Sequence, residues 1–94
     1  MASILIVDDE QQAVDILKMM LEDAGFEVLT ADNGESGFSA ACEHRPDVII
    51  ADVLMPVMDG YALYKQLKSE PVTKHIPVII LTARGAMESA FEAI

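Results

Sequence analysis

Tryptophan is absent, cysteine occurs once, and six basic side chains face sixteen acidic ones. The lone cysteine, Cys42, cannot close a disulfide within the chain, and a single thiol suits the reducing cytoplasm, where the protein is expected to work. The basic residues Lys18, Arg45, Lys65, Lys68, Lys74 and Arg84 form no run and no stripe, and the net charge is −10. A nucleic-acid backbone would be repelled by such a chain, so no nucleic-acid partner is expected. No apolar run is longer than one short strand, against the about 20 residues that a membrane-spanning helix needs. Met1-Ala2-Ser3 leads straight into a strand pattern, without the basic start and long apolar stretch of a signal peptide. Glycine and proline are few and scattered, so neither linker nor low-complexity segment divides the 94 residues. One domain over residues 1–94 is the expectation.

What is plentiful is apolar surface. At 52% hydrophobic, a chain of 94 residues must make its elements cover one another or a partner. Ile4-Leu5-Ile6-Val7 and Val48-Ile49-Ile50-Ala51 are apolar throughout, as strands buried on both faces are. Pro77-Val78-Ile79-Ile80-Leu81 repeats the pattern, whereas Glu27-Val28-Leu29-Thr30-Ala31 is more polar and suits a sheet edge. Between the strands the period changes to that of helices. Ala13, Val14, Leu17, Met20, Leu21 and Ala24 share one side of a helix over Gln11–Ala24, with Gly25 where a helix-ending glycine belongs. Asp32-Asn33-Gly34 reads as a turn that also caps a second helix, about Glu35–Glu43, which packs through Phe38, Ala41 and Cys42. A third, about Tyr61–Ser69, buries Leu63, Tyr64 and Leu67 behind an Asp59 cap. Met87, Ala90, Phe91 and Ile94 mark one face of a fourth. The order βαβαβαβα implies a doubly wound parallel α/β sheet with right-handed crossovers.

Three of these strands stop at polar groups: Asp8-Asp9-Glu10, then Asp52, then Thr82. In a parallel sheet those ends share one edge, where open α/β sheets place their chemistry. Converging carboxylates repel unless a cation lies among them, and hard oxygen ligands with room for water suit Mg²⁺. A divalent ion between Asp9 and Asp52 would also neutralise charge on a phosphoryl group attacked by Asp52. Thr82 is short enough to donate a hydrogen bond to such a group, and Ala83 leaves space beside it. Each residue has a plainer reading. The Asp8-Asp9-Glu10 cluster favours a helix start, Thr82 caps the last helix, and Met55-Pro56 with Asp59-Gly60 shapes a loop. Cys42 reads as core, and His44 and His75 as solvated loop residues at the far end of the sheet from Asp52.

The three motifs together resemble the receiver domain of two-component response regulators. They are Ile4-Leu5-Ile6-Val7-Asp8-Asp9-Glu10, the Asp52-to-Gly60 segment with Met55-Pro56 and Asp59-Gly60, and Val78-Ile79-Ile80-Leu81-Thr82-Ala83. The resemblance spans essentially the whole chain. It implies a flavodoxin-like receiver fold cut to (βα)4, with sheet order 2-1-3-4. It also implies that Asp52 accepts a phosphoryl group from a histidine kinase or histidine phosphotransfer protein, which docks near the helix starting at Gln11. Asp9 would ligate Mg²⁺ directly, Asp8 through water, and the backbone carbonyl of Leu54 would complete the protein's share. Thr82 would be the switch hydroxyl, and Leu54 and Arg84 would occupy the variable flanking positions. Such a domain is a signalling module, with no chemistry beyond gaining and losing its own phosphoryl group.

The family pattern continues with a fifth strand bearing a lysine and with a fifth helix, and neither falls within these residues. Lys74 precedes the fourth strand and lies at the wrong end, and the Arg84 guanidinium is not a geometric substitute. Val78–Leu81 would then be an apolar edge, a template for pairing with a second copy. Self-association, as a dimer or by segment exchange, is therefore expected. The alternative function is an association module that no longer signals through phosphate. A haloacid-dehalogenase-type phosphatase also uses a strand-end Asp, but would need a second Asp where Leu54 stands.

Overall fold

Two periods in the sequence, two for strands and 3.6 for helices, translate directly into layers. The computed structural model describes residues 2–53 and 58–81. Within them the order is β1 (Ser3–Val7), α1 (Gln11–Asp23), β2 (Glu27–Ala31), α2 (Gly34–His44), β3 (Val48–Asp52), α3 (Gly60–Ser69) and β4 (Val78–Leu81). All neighbouring strands pair in parallel, in the order β2-β1-β3-β4. This is the expected doubly wound α/β sheet, with the polar β2 at one edge. The expected fourth helix, with Met87, Ala90, Phe91 and Ile94 on one face, falls outside the described residues.

The two faces of the sheet are unequal. Leu5, Val7, Ile49, Ala51, Val78 and Ile80 point to the face that carries Ala41 of α2 with Leu63 and Leu67 of α3. On the other face Ile4 and Ile6 meet Val14 of α1, flanked by Leu17, Leu21, Val28, Val48 and Ile50. Strands β1 and β3 thus use both faces, which is why they read as unbroken apolar runs. β4 alternates instead: Val78 and Ile80 are buried, while Ile79 and Leu81 stay 37% and 43% exposed. Its interior-like sequence occupies a half-covered position.

Caps set the helix ends. Asn33 accepts a hydrogen bond from the Ser36 backbone at 2.8 Å, and Asp59 accepts one from Ala62 at 2.9 Å. Gly25 follows α1 with φ of 99°, the left-handed backbone for which glycine is suited. α1 itself has no side-chain cap at Glu10. One expectation fails here. The predicted inward stripe of α1 is only partly used, because Val14 alone is buried, Ala13 and Ala24 are exposed, and Met20 is 61% exposed. Of the six, Val14, Leu17 and Leu21 are the ones packed against the sheet face formed by Ile4 and Ile6. His44 also differs from its loop assignment, being the last residue of α2.

Candidate functional site

The register of β1 and β3 places the acidic residues. Val7 pairs with Ala51, both pointing into the larger core, so Asp8 and Asp52 occupy the next rung of adjacent strands and point toward the α1 face. Asp9 follows as the chain leaves the sheet. One carboxylate oxygen from each of Asp8, Asp9 and Asp52 can be chosen so that all three lie within 4.8 Å of one another. Asp8 and Asp52 are half-buried and Asp9 is exposed. Asp8 is held by its own turn: its Oδ1 accepts from the Glu10 backbone at 3.0 Å, and its N–H donates to Ala31 of β2 at 3.1 Å.

Two unit charges about 4 Å apart repel by about 1 kcal/mol in water and by about 4 kcal/mol near a protein surface. Three carboxylates at this range therefore favour a bound cation. Mg²⁺ takes oxygen ligands at about 2.1 Å in an octahedron, which sets their mutual distances at about 3–4 Å. Oxygens already within 4.8 Å need only a small adjustment to fit it. The donor set is all hard oxygen, as Mg²⁺ requires.

Gly60, at the start of α3, lies against the end of β3. The Gly60 N–H donates to the Val53 carbonyl at 3.1 Å, and a β-carbon on Gly60 would stand 2.4 Å from the Asp52 backbone oxygen. The first turn of α3, capped by Asp59, is thereby seated against the strand end that carries Asp52. Leu54 and Thr82 lie outside the described residues, as do Met55, Pro56, Ala83 and Arg84. His44 and His75 are exposed at the amino-terminal end of the sheet, away from the carboxylates. Cys42 is partly buried, and burial, with a smaller contribution from the Glu70 charge, pushes its thiol pKa up. Lys65 and Lys74 are exposed. Lys68 is spent structurally, its ammonium donating to the carbonyls of Lys74 at 3.1 Å and Ile76 at 2.7 Å.

Two features gave no signal in the sequence. A cleft of about 350 Å³ opens beside the cluster, bordered by Asp8, Gln11, Thr30, Asp32 and Ser36. Gly34, read as a turn residue, is instead a contact point between α2 and Met58. Both depend on elements distant in the chain, so neither leaves a periodic trace.

The pattern of the response regulator receiver domain matches residues 4–94. Protein PilH of Pseudomonas aeruginosa is 43% identical over 84 residues, covering 89% of this chain and 69% of PilH. Response regulator PleD of Caulobacter vibrioides is 43% identical over 82 residues, 87% of this chain but only 18% of PleD. Among solved structures, the chemotaxis response regulator CheY4 of Vibrio cholerae superposes with a TM-score of 0.86 at 39% identity, over 94% of this chain and 73% of that one. The receiver domain of the sensor histidine kinase PA1611 of P. aeruginosa, which has a magnesium ion coordinated in its active-site cleft, gives 0.84 at 29% identity, over 88% and 68%. Sheet order, the convergence of strand-end carboxylates and these likenesses agree: the chain belongs to the response regulator receiver domain family.

Proposed function

We propose that this receiver domain is a phosphoacceptor whose Asp52 takes a phosphoryl group from a phosphohistidine of a histidine kinase or phosphotransfer protein. The single observation that carries the reading is the convergence of Asp8, Asp9 and Asp52 within 4.8 Å at the carboxyl ends of β1 and β3. A carboxylate oxygen of Asp52 attacks phosphorus, the P–N bond breaks, and the electron pair leaves on the imidazole, which is protonated by solvent. Asp9 and Asp52 would hold Mg²⁺ directly, Asp8 through water, and the Leu54 carbonyl would complete the set. Asp8 borders the open cleft, which leaves room for such a water. When bound, Mg²⁺ supplies charge neutralisation for the transferring phosphoryl group. Thr82 would donate a hydrogen bond to the phosphoryl oxygens, and the altered contacts would bias a conformational equilibrium. A lone thiol suits a reducing compartment, so the domain would work in the cytoplasm. No helix among the described residues is long and apolar enough to cross a membrane.

The test is intact mass after incubation with acetyl phosphate and Mg²⁺, beside Asp52→Asn and an EDTA control. One added phosphoryl group, absent from both controls, is expected. No added mass on a folded, Mg²⁺-binding protein would overturn the reading. One observation favours a second reading, a protein-association module. Ile79 and Leu81 expose an apolar strip along β4, and such a strip pairs readily with a second copy about a two-fold axis.

A further inference from the structure

α2 presents small residues to the sheet where it crosses the end of β1. Gly37 and Ala41, four apart and so on one helix face, are both buried. A β-carbon on Gly37 would lie 2.9 Å from each γ-carbon of Val7 and 3.4 Å from its Cβ. Apolar carbons settle about 3.5–4.0 Å apart, so a methyl there demands a shift of about half an ångström or more. Val7 has little freedom to give way by rotation. It is β-branched and wholly buried, and its pairs with Ala31 and Ala51 fix its backbone.

Both ways of relieving that contact end at Asp8. If Val7 moves, Asp8 moves with it as the next residue of the chain. If α2 moves, it draws on Ala31, because only Asp32 and Asn33 separate β2 from the helix. The Ala31 carbonyl accepts from the Asp8 N–H at 3.1 Å. The helix start is stiffened against absorbing the shift: the Asn33 side chain accepts from the Ser36 N–H at 2.8 Å, and its carbonyl accepts from Gly37 at 2.9 Å. Val7 also pairs with Ala51, so the contact lies one rung below both Asp8 and Asp52. We propose that Gly37 is a positioning residue for the acidic site: presenting no side chain, it lets α2 lie close over Val7 and holds Asp8 within reach of Asp9 and Asp52. This rests on the reading of those three carboxylates as an Mg²⁺ site, and it extends that site to a helix contributing no ligand.

The measurement is a double-mutant cycle in Mg²⁺ affinity, by isothermal titration calorimetry, over the natural sequence, Gly37→Ala, Val7→Ala and the double variant. The Mg²⁺-dependent rise in melting temperature is a second readout that needs no phosphoryl transfer. Gly37→Ala is expected to raise the Kd about tenfold, the lower end of the range seen when groups supporting metal ligands are altered. Val7→Ala opens a gap under α2 and should raise it by a smaller factor. Adding Gly37→Ala to Val7→Ala refills that gap, so the same methyl should now lower the Kd. A role confined to helix propensity would have one sign in both backgrounds. Natural affinity in a folded Gly37→Ala protein, or a shift of the same sign in both backgrounds, would overturn the proposal. If Gly37→Ala does not fold, the Val7→Ala pair is decisive: tighter binding by the double variant supports the proposal, and equal or weaker binding overturns it. No Mg²⁺ binding by the natural sequence would instead overturn the metal reading on which it rests.

Discussion

Gly60 rests on the backbone carbonyl of Asp52 so closely that an added β-carbon would stand 2.4 Å from that oxygen and 3.1 Å from the Cα of Val53. The start of α3 and the end of β3 are in effect one joint, and the Asp52 carboxylate projects from it. Gly60→Ala must push the helix off the strand. A loss of about 1–3 kcal/mol is expected, typical of overpacking, and is measured as a lower urea midpoint with unchanged slope.

Asp9→Asn separates the metal role from a helix-start role. If the charge of Asp9 mainly repels Asp8 and Asp52, its removal raises metal-free stability by up to about 1 kcal/mol and weakens Mg²⁺ binding. A carboxylate serving only the α1 dipole would do the reverse, its loss costing about 0.3–1 kcal/mol. Thermal melts in EDTA and in Mg²⁺ distinguish the two.

Thr73 is fully buried, and its hydroxyl donates to the Leu67 carbonyl at 2.8 Å across the turn leaving α3. Thr73→Val keeps the shape and deletes the donor. The expected cost is about 1–3 kcal/mol by denaturant titration, because the partner stays buried with one bond fewer.

Ile79→Lys places a charge on the exposed side of β4. In a protein that self-associates through this strand, light scattering should show the dimer shift to monomer. Folded stability should change little, since Ile79 is already 37% exposed.

Cys42 supplies a pH dependence. Its thiol is held above the ordinary range by burial and then by Glu70. Alkylation by iodoacetamide should therefore be slower than for a free thiol at pH 8 and accelerate at higher pH. The sign for stability follows from linkage. The unfolded chain loses this proton first, so the contribution is complete below the unfolded pKa and is lost as pH rises through the folded one. Cys42→Ala should flatten that alkaline decline.

Much of this architecture was legible because it is locally encoded. Asn33 and Asp59 were readable as caps, Gly25 as a helix stop, and Glu27–Ala31 as an edge strand, since each needs only its near neighbours. The acidic convergence was legible one step further on, because parallel alternation forces strand ends together. What escaped was contact between remote segments. Nothing near Gly34 announces Met58, 24 positions away, and nothing near Thr73 announces that its hydroxyl is consumed by Leu67. The outward turn of Met20 was hidden for a related reason: periodicity defines a stripe, but only the neighbouring elements define how much of it is covered.

The thin layer between α1 and the sheet has a consequence for water access. Thirteen residues of helix are held by one fully buried side chain, Val14, with Leu17 and Leu21 only partly buried beside it, and begin without a side-chain cap. Its amides should exchange with deuterium faster than those of α2 and α3, through local opening that leaves the larger core intact. Because α1 begins two residues after Asp9, a cation that fixes Asp9 would slow this opening. Occupancy of the acidic site could then be followed as protection along a helix that supplies none of its ligands.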